Sequence, residues 1–342
     1  MIPNNFSSLS GSKNDYMTNL SFTSLCGNNS NNDNLSDEMR YFILVFRICF
    51  CPLLSVWSVI TGIVNIIVFH QMGLRDGLNQ NFLILSVADA LQGVFSLGKH
   101  ICYVLNWFGL CFGSISFRTL LTVFGVANNF ALNLSNTTTT IIAVVRCCCV
   151  TMPFALQQTL TARRQLAAIL ISSGVSIATL IYALIVNKFE NLFKKGEVSV
   201  VWDVVTVAQS SAYLIIIFSS MIILIRAVIK SSRGPQREVT PGPSITSDTR
   251  SVRDTRIVVR VFLVLAIFAV CNVLIIPIAT LRLFIPELRY AILTNDKFLY
   301  LTTLRATFLG INTSLNIFVY YFNDLRFKKV VNKLFHKHEQ RV

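Results

Sequence analysis

Five polar side chains lie within long apolar stretches of this sequence: Asn65, Asp89, Ser135, Asn312 and Asn316. A charge or an amide is costly in apolar surroundings unless it has a hydrogen-bond partner. Side chains of this kind therefore bond to one another between helices, or they mark an ion path or another functional site. The chemistry that they offer is hydrogen bonding and charge compensation, not covalent catalysis.

Helical spacing relates some of these residues to one another. Asn312, Asn316 and Tyr320 follow at intervals of four, so they share one helix face, and Ser135 and Arg146 are eleven residues, or three turns, apart. No nucleophile or metal-binding signature accompanies them. The four histidines are too scattered to suggest a zinc site. We therefore expect a protein that is not an enzyme and has no obligatory cofactor.

The elements that carry these residues are predicted to be membrane-spanning helices. The 342 residues are 53% hydrophobic and 13% charged, and the apolar residues form long runs between charges. A helix needs about 20 such residues to cross a bilayer. The sequence predicts an all-α integral membrane fold, a seven-transmembrane helix bundle over residues 47–322. The predicted spans are 47–74, 77–105, 117–146, 165–187, 204–229, 258–284 and 298–322.

Basic residues predict the orientation of the spans, because they are enriched on cytoplasmic loops. An extracellular N-terminus puts most of them inside, including those of a flexible loop at 231–255 and of an amphipathic helix and tail at 323–342. The N-terminal tail, 1–46, then faces outward, and its four sequons are candidate glycosylation sites at Asn5, Asn19, Asn28 and Asn34. The predicted location is the plasma membrane.

The net charge of +14 is interpreted as contact with membrane lipid, since its cytoplasmic part flanks the spans, and nucleic-acid binding is not expected. Three of the nine cysteines, Cys26, Cys102 and Cys111, would face the oxidising side. They could supply one disulfide, and the sequence does not choose the pair.

Several short patterns occur in order along the predicted spans. They are Asn65 followed by Val68, Leu85 with Asp89, Arg146 followed by Pro153, Phe268 with Cys271, and residues 316–320 (NIFVY) followed by Phe327. With this order and placement, the chain resembles a rhodopsin-like (class A) G-protein-coupled receptor. The stretch RCCCVTMPF, 146–154, is most similar to divergent molluscan chemosensory receptors.

This resemblance implies a heterotrimeric G protein as partner and a coupling switch made of Arg146, Pro153, Phe154, Asn316 and Tyr320. Arg146 could instead be a cationic anchor at the membrane edge. The resemblance also implies a polar, sodium-binding pocket, because oxygen ligands suit a hard monovalent cation. Hydrogen bonding between helices without an ion is the alternative. The residues of this pocket are Asp89, Ser135, Asn312 and Asn316.

The sequence also departs from the receptor pattern. Val145 stands where an acid normally precedes the arginine, which predicts raised basal activity, and Asn272 stands where a tryptophan is usual. Ile317 replaces the proline of the last span, and Pro277 lies three residues later than its counterpart. These differences affect the switch and not the predicted helical architecture.

The outer mouth of the bundle is predicted to bind a small anionic or zwitterionic ligand, such as an amino acid, an organic acid or a peptide terminus. Excess positive charge would attract it. The candidate ligand-binding residues are Lys99, His100, Arg118, Arg282 and Arg305. Arg305 could instead reach lipid headgroups.

The function predicted from these patterns is a chemosensory, peptide-sensing or small-molecule-sensing receptor. The main alternative is an ion or solute transporter or channel with a polar path around Asp89. The sequence shows no pair of matching broken helices, which are typical of transporters.

Overall fold

The computed structural model describes residues 45–74, 77–107, 117–151, 161–186, 200–232, 259, 261–273, 275–285 and 296–339. This part of the chain is helical and has no strand, so the all-α prediction is confirmed for it. The helices are α1 (Cys51–Met72), α2 (Gly77–Trp107), α3 (Phe117–Thr151), α4 (Ala162–Val186), α5 (Val200–Ser232), α6 (261–272), α7 (Ile275–Phe284), α8 (Asp296–Asn323) and α9 (Leu325–Glu339).

Four helical segments are long and apolar enough to span a membrane. They are Phe46–Met72, Gly77–Leu105, Val207–Arg226 and Val261–Ile278. They match the first, second, fifth and sixth predicted spans and indicate a membrane protein. The stretches of α3 and α8 are richer in amides and hydroxyls, and some side chains of α4 lie outside the described part. For these three helices, membrane spanning stays a prediction.

The distribution of side chains also fits a lipid environment. Large apolar residues point outward, among them Leu53, Ile171 and Ile215, whose side chains are each about two-thirds exposed. Polar residues such as Asn65 and Asp89 are buried. In water this arrangement would expose an unusually large apolar surface, whereas in a bilayer it matches lipid outside to polar contacts inside.

The helices around Asp89 pack closely. α1 lies against α2, which contacts α3, and α8 contacts α1 and α2. At the α1–α2 contact, a Cβ atom added to Gly62 would lie 2.8 Å from the Cβ of Ala90. Only glycine permits so close an approach, as is common between membrane helices. Ala90 is next to Asp89, so this contact positions α1 beside the buried carboxylate.

Two irregularities were not predicted from the hydropathy pattern. A π-helical turn, Phe46–Phe50, precedes α1, and Val273 forms a turn between α6 and α7. Pro52 follows the first irregularity and Pro277 the second. Proline has no amide hydrogen for the bond four residues back, so it interrupts a helix on its N-terminal side. The helix of the predicted span at 258–284 therefore has an irregular turn at Val273.

The chain turns at Asp324 between α8 and α9. The Asp324 carboxylate accepts hydrogen bonds from the backbone N–H groups of Arg326 and Phe327, at 2.9 and 3.3 Å. This is N-terminal helix capping by a side-chain oxygen. Phe327 is buried while Arg326 and Lys328 are exposed, so α9 has the amphipathic character predicted for the C-terminal helix.

Candidate functional site

Asp89 is the centre of the predicted polar set and is 2% exposed on α2. The Ser135 hydroxyl of α3 donates to its Oδ1 at 2.9 Å, and the Asn316 amide of α8 donates to its Oδ2 at 2.7 Å. Each carboxylate oxygen thus receives a donor from a different helix. Hydrogen bonds to a charged acceptor are the stronger kind, so this contact can hold three helices in register.

Ser58 of α1 extends this contact to a fourth helix. Its Oγ lies 2.8 Å from Thr313 Oγ1 on α8 and 3.3 Å from the Asp89 backbone oxygen. Sequence analysis missed both hydroxyl residues. Ser58 could have been found from its position seven residues before Asn65, which is two turns along the same helix face. We call Ser58, Asp89, Ser135, Thr313 and Asn316 the Asp89 network.

Two further predicted polar residues are buried beside this network without bonding to its carboxylate. Asn312 lies one turn before Asn316 on α8, and no hydrogen bond joins its side chain to Asp89. Asn65 is 2% exposed on α1, and its Oδ1 has no hydrogen-bond partner within the described residues. Three of the four predicted cation ligands, Asp89, Ser135 and Asn316, are therefore brought together directly.

As a cation site, the Asp89 network fits the predicted sodium ion only in part. The Asp89 carboxylate and the Ser135 hydroxyl are suitable oxygen ligands. Asn316, however, presents its NH₂ group to the carboxylate, and an amide nitrogen does not bind a cation. Ion binding would require this amide to turn. In the observed orientation of Asn316, these residues form direct hydrogen bonds between helices.

The predicted switch residues lie on the same helices as the Asp89 network. Arg146 is half-buried on α3, and the preceding Val145 is buried, so no carboxylate stands at that position. Tyr320, one turn after Asn316, is fully buried. Pro153 and Phe154 lie outside the described residues.

Tyr320 belongs to a cluster of four aromatic rings. Its ring centroid is 5.0 Å from those of Phe69 and Phe82 and 5.6 Å from that of Phe327. All four side chains are fully buried, and together they join α1, α2, α8 and α9. Because Asn316 and Tyr320 share one face of α8, a rotation of this helix would disturb both the network and the aromatic cluster.

The predicted ligand-binding cations are in part brought together at the other end of these helices. Lys99 of α2 is within electrostatic range of Arg305 of α8, and His100 is 5% exposed beside it. Arg47, which sequence analysis did not include, joins them from the turn before α1. Its guanidinium lies over the Tyr103 ring, 3.6 Å from the centroid. We call Arg47, Lys99, His100 and Arg305 the Arg47 cluster.

The structure does not place the remaining predicted site residues in the Asp89 network or in the Arg47 cluster. Arg118 and Arg282 belong to α3 and α7, but their side chains are outside the described part of the chain. The same holds for the four glycosylation candidates, for Cys26 and Cys111, and for most of the 231–255 loop. Cys102 is a buried free thiol.

A comparison of the sequence with protein-family models finds no match, and a comparison with curated proteins finds none either.

Proposed function

We propose that this protein is a rhodopsin-like G-protein-coupled receptor of the plasma membrane, with seven spans and an extracellular N-terminus. The observation that carries the proposal is the Asp89 carboxylate, bonded to Ser135 of α3 and Asn316 of α8 in the interior of apolar helices. Buried charge of this kind is rare in membrane helices and indicates a functional site. The order of the sequence patterns supports the same assignment.

The energies of the Asp89 network suit a conformational switch. A hydrogen bond to a charged group contributes about 1.5–3 kcal/mol, and bonds between membrane helices average about 0.6 kcal/mol. Two receptor states typically differ by a few kcal/mol. Loss of one or both contacts to Asp89 would therefore change the population of the signalling state.

The proposed signal passes along α3 and α8. Ser135 and Arg146 are eleven residues apart on α3, which corresponds to about 16 Å along the helix axis. Asn316 and Tyr320 are one turn apart on α8. A ligand that favours a different position of these helices would rearrange the Asp89 network and expose Arg146 to a heterotrimeric G protein. The protein itself carries out no covalent step.

The absence of an acid at position 145 shapes the expected activity. Position 145 supplies no carboxylate to restrain Arg146, since Val145 is apolar and buried. The resting state would then depend more on the Asp89 network and on the aromatic packing of Tyr320. We infer a receptor with measurable basal signalling.

The ligand is proposed to enter at the end that carries the Arg47 cluster. Lys99, His100 and Arg305 supply positive charge there, with Arg118 and Arg282 as further candidates. A small anionic or zwitterionic molecule or a peptide terminus fits this charge. A chemosensory role follows from the sequence resemblance alone.

The experiment is guanine-nucleotide exchange on a panel of G proteins, in membranes that contain the protein at matched surface expression. Arg146→Ala should abolish exchange, and Arg163→Ala, an exposed arginine at the start of α4, should leave it unchanged. Equal exchange in the two variants would remove the role of Arg146. Flux of an ion or solute through purified protein in vesicles, without any exchange, would replace the receptor by a transporter or channel.

A further inference from the structure

The Arg47 cluster is formed by three separate segments of the chain. Arg47 comes from the turn before α1, Lys99 from α2 and Arg305 from α8, and Lys99 interacts electrostatically with both arginines. The segments are tied together locally, because the Cys51 thiol and the Thr307 hydroxyl lie 3.5 Å apart between α1 and α8. The convergence of these cations therefore results from helix packing.

Two cations of this cluster, Arg47 and Lys99, have no carboxylate partner among the described side chains. The Arg47 guanidinium instead lies 3.6 Å from the centroid of the Tyr103 ring. His100 is 5% exposed, and its Nδ1 has no hydrogen-bond partner within the described part of the protein. Like charges held together at a half-buried site repel one another, so an anion between them would be stabilised.

The depth of the cluster limits what can reach it. Lys99 is ten residues from Asp89 and Arg305 is eleven from Asn316, so the cluster lies about 15 Å along the helices from the Asp89 network. Half of the hydrocarbon thickness of a bilayer is also about 15 Å. With Asp89 near the bilayer centre, the cluster lies at the level of the lipid headgroups, where dissolved anions and headgroup phosphates both have access.

We propose that Arg47, Lys99 and Arg305 form a binding site for an oxyanion, a carboxylate or a phosphate, between the start of α1, α2 and α8. Guanidinium groups match the two oxygens of a carboxylate or phosphate, and the ammonium group adds a third set of donors. The buried His100 ring hydrogen-bonds to the Arg47 backbone and so joins α2 to the start of α1 beside this site. The role of this site as the signal input of a receptor rests on the proposed function. Binding of the oxyanion itself does not depend on signalling.

The test uses the full chain purified in maltoside micelles, which contain no phosphate, with acetate and inorganic phosphate as probes. Either probe, titrated at constant ionic strength against chloride, should raise the midpoint of thermal unfolding saturably. Arg47→Gln and Lys99→Gln should each weaken the apparent affinity about tenfold. Lys99→Arg should retain it, and Arg226→Gln, an exposed cation of α5, should behave as wild type.

A second experiment distinguishes two sources of the oxyanion, a lipid headgroup and a dissolved anion. Adding phosphatidylglycerol to the micelles should compete with the dissolved probes if a lipid headgroup occupies the site, and should leave them unaffected if the site is reserved for a soluble anion. Either result supports the oxyanion site. The proposal is overturned if no probe or lipid stabilises the protein saturably, or if Arg226→Gln weakens binding as much as Lys99→Gln. Binding without nucleotide exchange would remove only the receptor role.

Discussion

Asp89 in the middle of α2 and Lys99 ten residues along the same helix have neighbours of opposite kinds. Asp89 is surrounded by hydrogen-bond donors from α3 and α8, so its charge is compensated within the protein. Lys99 interacts with Arg47 and Arg305, which carry the same sign of charge. The first arrangement stabilises the packing of the helices. The second favours the binding of an anion from outside the protein. Stability and binding are thus assigned to different levels along the same helices.

The largest expected effect comes from removing the compensated charge. Asp89→Ala should lower the free energy of unfolding by about 3 kcal/mol, because it leaves the Ser135 and Asn316 donors buried without an acceptor. Asp89→Asn, which keeps one acceptor oxygen, should cost less. Thermal unfolding of the purified protein in detergent measures both, and an unchanged midpoint in Asp89→Ala would show that the network does not stabilise the fold.

The helix contact beside Asp89 offers the next largest effect. Gly62→Val should destabilise the protein by about 2 kcal/mol, since even a Cβ atom at this position would lie 2.8 Å from that of Ala90. Gly174→Val is the matched control, because nothing lies within 4 Å of its Cβ position on α4. Similar unfolding midpoints for the two variants would mean that α1 and α2 are not as close as described.

Removing a charge from the Arg47 cluster should stabilise the protein, in contrast to the two changes above. Without added oxyanion, Lys99→Gln should stabilise the protein by about 0.5 kcal/mol, because it relieves repulsion from Arg47 and Arg305. High salt should reduce this gain by screening. Arg226→Gln should change the midpoint little in either condition. A loss of stability in Lys99→Gln at low salt would show that the charge of Lys99 is compensated within the protein.

The smallest effect concerns sodium. Exchanging sodium chloride for choline chloride should shift the unfolding midpoint by less than about 0.5 kcal/mol in free energy, since donors already occupy both carboxylate oxygens of Asp89. Lithium or potassium should behave as choline does. A saturable stabilisation by sodium that is lost in Asp89→Asn would instead identify the Asp89 network as a sodium site.

The polar residues at the centre of the helices could be found from the sequence because a polar side chain in an apolar helix has a high free-energy cost. Asp89, Ser135 and Asn316 stand out in apolar stretches, and hydropathy alone indicates that they need partners. Ser58 and Thr313 do not stand out, since a hydroxyl can bond to the carbonyl of its own helix, as Thr313 also does. Their place in the network depends on helix rotation, which an apolar run does not specify.

The cations of the Arg47 cluster are predictable from the sequence only in part. Lys99, His100 and Arg305 share a predicted level in the membrane, and the structure brings them together. Arg47 is the first residue of the first predicted span, and the π-helical turn at Phe46–Phe50 carries it over Tyr103. Such a local irregularity follows from Pro52 and from packing, and it cannot be derived from periodicity.

The central claim is that the Asp89 network controls a signalling equilibrium, and two matched serine variants test it most directly. Ser135→Ala removes a bond to Asp89, whereas Ser219→Ala removes an exposed hydroxyl that bonds to the Ile215 carbonyl of its own helix, α5. Basal guanine-nucleotide exchange, measured against membranes without the protein, should change about threefold or more in Ser135→Ala and stay at the wild-type level in Ser219→Ala. Wild-type exchange no higher than that of empty membranes, or equal exchange in both variants, would contradict the account.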